Sequence, residues 1–223
     1  MSAVQVVVIT KAPVPGRSKT RLSPPCTPEQ AAGIAAAAVG DTLDAVRAVR
    51  AARVADRLVA LDGAPGDLEL DGFTVVPQVD GDLGTRLAAA FADAMATYPV
   101  PTLLIGMDTP QVTPGLLARC AALLESSGPG TAVLGTAPDG GWWALGLHSA
   151  EPAAVLATVP MSRDDTAALT RAALEATGLT VLDLPELTDI DHFPDAMAVA
   201  AECPPHSRTS RVVATVAIAL GLA

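Results

Sequence analysis

The stretch QVVVITKAPVPGRSKTRL, residues 5–22, decides how the rest of the chain is read. Gln5 to Thr10 is an apolar run with three successive valines, the pattern of a strand buried on both faces. Such strands belong to parallel sheets covered by helices. Directly behind the run come Lys11, Arg17, Lys19 and Arg21, with no acid among them. Lys11 and Lys19 are the only lysines of a chain that holds 14 basic residues at a net charge of −10. The segment GRSKT resembles the end of a Walker A loop. However, Ser18 stands where that motif needs Gly before Lys, and Pro13 and Pro15 remove N–H groups that a phosphate cradle uses. A P-loop is excluded. What remains is a proline-stiffened strand-end loop with four cations, suited to a di- or triphosphate; the alternative is a solvated loop paired with acidic neighbours. The confinement of both lysines to it favours the phosphate reading.

Working outward, strands and helices alternate. Thr27-Pro28-Glu29-Gln30 opens a helix with Thr as N-cap, Pro at the first position and Gln completing a capping box, and the helix is expected to run to about Arg50. Strands are predicted at 57–61, 73–76, 102–105, 131–134, 142–147 and 179–184. Helices are predicted at 83–98, from the spacing of Leu83, Leu87, Phe91 and Met95, then from Thr113-Pro114 onward, at 164–176 and at 193–201. The apolar tail 212–222 reads as a closing helix. No internal repeat or long linker divides the chain, so one domain over residues 1–223 is expected, with 203–223 packed on it. This β-α-β order implies an open, mostly parallel sheet with helices on both faces, and in such sheets ligands bind beyond the carboxyl ends of the strands.

The residues that follow the strands therefore carry the chemistry. In PQVDGDLGTRL, Gly81 and Gly84 make a tight turn, and Asp82 can cap the next helix. N–H groups at that helix start would suit a base, ribose or phosphate, with Gln78 and Arg86 beside them; an ordinary β-to-α turn is the plainer reading. In LLIGMDTP, Asp108 ends a strand and offers a hard oxygen ligand to Mg²⁺ or Mn²⁺. TDIDHFPD adds Asp189 and Asp191, whose alternate spacing in extended chain points both carboxylates one way, while Asp195 suits a first helical turn. In TAPDGGWWALGL, Asp139-Gly140-Gly141 forces a sharp turn, and Trp142-Trp143 would send one indole to the core and the other to the opposite face. Asp139 fits a general base, an acceptor of a substrate hydroxyl, or a turn residue.

Composition limits the field. Half the residues are apolar but only 3% are aromatic, which suits helices on a sheet rather than an all-β sandwich. A pI near 4.6 argues against nucleic acid or anionic lipid as partner. Three scattered cysteines, Cys26, Cys120 and Cys203, form no C-x-x-C pair, which fits a reducing cytoplasm. The start MSAVQVVVIT has no basic n-region, and the eleven-residue tail is too short for a bilayer, so neither a signal peptide nor membrane insertion is expected. His148 and His206 read as surface residues, and His192 lies beside the acidic segment.

Taken together, K-x-P-x-x-G-x-x-K-T-R-L, G-D-L-G-x-R, G-x-D-x-P, D-G-G-aromatic-aromatic-x-x-G and D-I-D, in this order over residues 4–202, resemble the DUF2064 family, whose members are described as glycosyltransferase A-type proteins of the "transferase 1" or arsenosugar-biosynthesis kind. The resemblance implies a Rossmann-like nucleotide-diphospho-sugar transferase fold with a mixed edge. It places Lys11, Arg17, Lys19 and Arg21 near nucleotide phosphates and GDLGTR near the nucleoside. It makes Asp108 the metal carboxylate, with Asp189 and Asp191 completing the cation site by similarity to nucleotidyltransferases. Met107, Trp142-Trp143 and His192 depart from the small residue, tyrosines and threonine usual there, so acceptor identity does not carry over.

The function expected is divalent-metal-dependent glycosylation of a small acceptor from a nucleotide-diphospho-sugar, with Asp139 as base. The alternatives are a nucleotidyltransferase releasing pyrophosphate from an NTP and a phosphorylated small molecule, and a nucleotide-binding module without turnover.

Overall fold

The computed structural model describes residues 4–50 and 54–222; Met1–Ala3, Ala51–Arg53 and Ala223, which fall inside the span of the expected single domain, lie outside the described residues. Among the described residues seven strands form one sheet in the order β3-β2-β1-β4-β6-β5-β7. They are β1 (Val4–Lys11), β2 (Val54–Asp62), β3 (Thr74–Pro77), β4 (Thr102–Gly106), β5 (Thr131–Thr136), β6 (Trp142–Leu147) and β7 (Thr180–Asp183). The helices are α1 (Pro28–Arg47), α2 (Leu83–Thr97), α3 (Pro114–Ser127), α4 (Thr166–Ala176), α5 (Phe193–Glu202) and α6 (Arg208–Ala219).

The central strand behaves as its valines demand. Val4, Val6 and Val8 enter the core cluster beneath α1 and α3, whereas Val7 enters the cluster on the opposite face with Phe91 of α2 and Leu174 of α4. The two-residue period of a strand thus feeds two cores. A third cluster joins Ile34 and Ala38 of α1 to Phe193 of α5 and Val213 of α6, so the tail does close on the body as a helix, starting at Arg208.

Local signals set the helix starts. Thr27 accepts from the Gln30 N–H at 3.2 Å and donates its own N–H to Gln30 Oε1 at 2.8 Å, the reciprocal capping box read from sequence; such a cap contributes about 1 kcal/mol. Asp82 and Thr113 cap α2 and α3 through the N–H groups of Thr85 and Leu116.

Two expectations need correction. The antiparallel member of the sheet is β6, and it lies inside, between β4 and β5, not at an edge. Its reversed direction puts the amino end of β6 beside the carboxyl end of β4, with Ile105 paired to Ala144. The turn before β6 therefore opens on the same side of the sheet as the loops after β1 and β4. His148 is half-buried, not a surface residue; burial lowers its pKa, and its Nε2 has no partner among the described residues. A 3-10 helix, Glu151–Thr158, was not foreseen; its Leu156 carbonyl presses on Gly84.

Candidate active site

The basic loop is built on β1 and braced from within. Ser18 donates its hydroxyl to the Ala12 carbonyl at 2.6 Å and accepts from the Val14 N–H at 3.2 Å. That closes the Pro13–Arg17 turn and turns the chain back toward the sheet. Lys19 then sits in the left-handed region at φ 49° and opens a short 3-10 helix, Thr20–Leu22, whose buried Leu22 anchors the loop in the third core cluster.

Lys19 reaches across to two other strand-end loops at once. Its Nζ donates to Asp108 Oδ2 at 2.7 Å and to the Ile190 carbonyl. Those loops are also stitched directly, Ile190 N–H to the Asp108 carbonyl at 2.9 Å, and Gln111 Nε2 donates to the Thr188 carbonyl at 2.6 Å. Arg21 pairs with Asp191 at 2.7 Å, which raises its already high pKa. Asp189 has no such relief. Burial foremost, then the nearby Asp108 and Asp139 charges, push its carboxyl up to about 6, against a smaller opposing pull from Lys19. Carboxylates crowded in this way form a site with excess negative charge.

A second ionic group forms at the ends of β1, β2 and β3. Asp62 accepts from Lys11 at 3.4 Å and from Arg86 at 3.2 Å. Gln78 donates to the Thr10 and Ala60 carbonyls at 2.8 and 2.9 Å, which fixes its Oε1 toward Arg86 at 3.2 Å. Asp139 Oδ1 accepts from the Gly141 N–H at 2.7 Å and stands exposed at the third corner. Gly140, at φ +87°, has no room for a side chain because the Asp164 carbonyl occupies that space.

Lys11, Lys19, Arg21, Gln78, Arg86, Asp108, Asp139, Asp189 and Asp191 all border one open cavity of about 510 Å³. Arg17 does not; it is exposed and borders a smaller, adjoining hollow that shares Lys11, Lys19, Arg21, Met107 and Asp191 with that lining. Asp82 and Gly84 are also outside the lining. Asp82 caps α2, where the Thr85 N–H and hydroxyl lower its pKa, and Gly84 is buried, at a point where a Cβ would strike the Leu156 carbonyl at 2.2 Å. The two tryptophans divide as their alternation predicts: Trp143 is buried, donating to the Pro185 carbonyl at 2.9 Å, and Trp142 borders the cavity, donating to Thr170 Oγ1 at 3.2 Å. The segment Met161–Asp164 also borders the cavity and was missed, since its sequence reads only as the approach to a helix.

The oxygen-only donor set suits a hard divalent cation in kind. Among the described residues, though, no three acidic, histidine or cysteine side chains are gathered closely enough to hold one by themselves. Asp108 and Asp191 are engaged by Lys19 and Arg21. The fit is that of a Mg²⁺- or Mn²⁺-type site, which takes one or two carboxylates and completes its shell with water and phosphate oxygens.

A Rossmann-like sheet with a cavity at the carboxyl ends of its strands places ligands where open α/β sheets take them. The chain matches the model of the family described as "Uncharacterized protein conserved in bacteria (DUF2064)" over residues 43–163. It belongs to that family. Among solved structures, it superposes on a candidate nucleotide-diphospho-sugar transferase of Desulfovibrio desulfuricans with a TM-score of 0.83 at 23% identity, covering 99% of this chain and 97% of that one. The manganese complex of Rv0371c from Mycobacterium tuberculosis gives 0.55 at 21%, covering 89% and 98%. The 2-C-methyl-D-erythritol 4-phosphate cytidylyltransferase of Thermus thermophilus gives 0.54 at 20%, covering 89% and 98%. At these identities the likeness is one of fold. No curated protein matches the sequence.

Proposed function

We propose that this protein is a divalent-metal-dependent glycosyltransferase that moves a sugar from a nucleotide-diphospho-sugar to a hydroxyl of a small acceptor. The observation that carries the reading is the convergence at Lys19: one ammonium spans the Asp108 loop and the 189–191 loop at the mouth of the strand-end cavity. Cations and carboxylates so interleaved suit a diphosphate, whose charge grows as it leaves.

In this reading Lys11, Lys19 and Arg21 hold the diphosphate, and Arg17 meets it from outside the cavity. Gln78 and Arg86, fixed on the β1–β3 side, face the nucleoside; Asp82 and Gly84 shape that turn without touching it. Asp108, Asp189 and Asp191 would supply one or two of the ligands for Mg²⁺ or Mn²⁺, water and phosphate oxygens completing the shell, and the cation would neutralise the leaving diphosphate. Lys19 then exchanges its Asp108 contact for phosphate oxygens. Asp139 takes the acceptor proton as the new glycosidic C–O bond forms and the anomeric C–O bond to the diphosphate breaks. The acceptor becomes a glycoside and the nucleoside diphosphate departs, so atoms and charge balance. General-base help of this kind is worth about 10²–10⁴-fold in rate.

A second reading is nucleotidyl transfer to a phosphorylated small molecule with release of pyrophosphate, supported by cytidylyltransferases among the structural neighbours. Product analysis separates the two: free nucleoside diphosphate from nucleotide-sugar plus acceptor, against pyrophosphate from NTP plus phosphate ester. Nucleotide binding that ignores Mn²⁺ and yields neither product would leave a binding module.

A further inference from the structure

The cavity lining changes along the sheet. Beyond β2 and β1 it carries Lys11, Gln78 and Arg86 beside the apolar Ile9, Leu83 and Leu87; over β4 come Leu104 and Asp108; on the β6 side it is bordered by Trp142 and Met161, with Ser162, Arg163 and Asp164. A nucleoside presents hydrogen-bonding edges and an apolar ring face, which the Gln78 and Arg86 side can meet; the diphosphate takes the middle. The β6 side, where Asp139 stands, is left for the acceptor.

We propose that this β6 side is an acceptor subsite that takes a neutral or cationic molecule whose hydroxyl is carried on a flat, apolar scaffold, an aryl alcohol in class, and that it rejects phosphate esters. The assignment rests on the glycosyl-transfer reading above. Three observations support it. The Trp142 indole is preorganised: its only donor is already satisfied by Thr170 Oγ1, so the ring has an apolar surface left to offer and a ligand ring costs it no hydrogen bond. Met161, partly buried against the same core cluster, is a pliable partner for the second edge of such a ring. The charges at this end are wrong for an anion. Arg163 is held by both oxygens of Asp165, at 2.9 Å each, while Asp139 and Asp164 border the space as acids. An incoming phosphate would face two carboxylates and a neutralised guanidinium.

The test uses the two tryptophans as separate reporters. In the full-length protein labelled with ¹⁵N, each gives one indole N–H resonance, and Trp142→Phe identifies which is which. Titration with 3-phenylpropanol should shift the Trp142 signal saturably and leave that of buried Trp143 in place. 3-Phenylpropyl phosphate should bind there at least about tenfold more weakly, and Asp164→Asn should narrow the gap. In Trp142→Phe the binding of 3-phenylpropanol, read from the neighbouring backbone amides, should weaken several-fold, as a stacking contact of about 0.5–1.5 kcal/mol implies. A phosphate ester that moves Trp142 at lower concentration than the alcohol overturns the proposal, as does alcohol binding that spares Trp142. A parallel titration with UDP, GDP and CDP in Mn²⁺ keeps the two ideas apart. Failure of every nucleotide to bind defeats the donor reading alone, whereas an indifferent Trp142 beside a bound nucleotide defeats the acceptor assignment alone.

Discussion

Two hollows of nearly equal size mark this molecule, and their chemistry differs. One, at the strand ends, has a volume of about 510 Å³; the other, behind α1, about 550 Å³. Both carry arginines and carboxylates. Behind α1 the charges serve one another: Arg208 engages Asp41, Asp44 and Glu69, and Arg47 adds the carbonyls of Glu69 and Asp71 to its bond with Asp44. The wall between them is made of small α1 residues, where a Cβ on Gly40 would come within 2.9 Å of Arg208. At the strand ends the charges are not so settled. Asp189 is pushed up to about 6 beside Asp108 and Asp139, and Lys19 is stretched between two loops. Volume alone does not separate a clamp from a reaction site; unresolved charge does.

That contrast can be broken most sharply at Asp108. Asp108→Asn should lower turnover by about 10²–10³-fold, the scale of losing one preorganised electrostatic partner, while the melting temperature moves little; nucleoside-diphosphate release and calorimetry read the two. Lys19→Met comes next, with a loss of about 10²-fold in kcat/KM and weaker nucleoside diphosphate binding in a titration. At the other hollow the pattern should reverse: Arg208→Ala should cost about 1 kcal/mol in urea unfolding, since half-exposed pairs are individually weak, and leave kcat within twofold.

The pH response sharpens the comparison further. The folded chain holds the Asp189 proton more tightly than an unfolded chain, for which 3.8 is the ordinary value. In metal-free protein this group therefore costs stability as pH rises from near 3.8 through about 6, and the cost is complete above that window. Asp189→Asn should melt higher than wild type at pH 7 without metal, by about 2–4 °C, match it near pH 4, and lose its advantage when Mn²⁺ is added. The smallest effect is expected at the thiols. All three cysteines are buried and free, and burial raises Cys120 to about 11 and Cys203 to about 12. Ellman's reagent at pH 8 should find almost no reactive thiol in the folded protein and three after denaturation.

Much of this was legible in the sequence because it is local. The three valines of β1, the Thr27 box and the Trp142-Trp143 alternation need only neighbouring residues to be read, and each took its expected place. The basic loop and the aspartates 108, 189 and 191 converge because a parallel sheet gathers its strand ends on one side. What escaped the reading depends on pairing between distant segments. Nothing in WWALGL says that β6 inserts antiparallel between β4 and β5, yet that reversal brings Asp139 to the cavity. Asp82 caps α2, as its own residues suggest, whereas the packing of the 151–158 helix on Gly84 comes from a distant segment that GDLGTR does not announce. Arg17 borders an adjoining hollow that shares Lys19, Arg21 and Asp191 with the cavity, a division that sequence distance alone does not reveal. Met161–Asp164 became visible only as the wall behind the Gly140 turn.

The single N–H of Ile190 that reaches the Asp108 carbonyl has a thermodynamic corollary. Loops from opposite halves of the chain meet there, so neither half holds the pair of acidic loops alone. A ligand that bridges them must stabilise the entire molecule against unfolding rather than tighten a local flap. Melting curves should then register occupancy directly, which turns heat into an assay for what this cleft accepts.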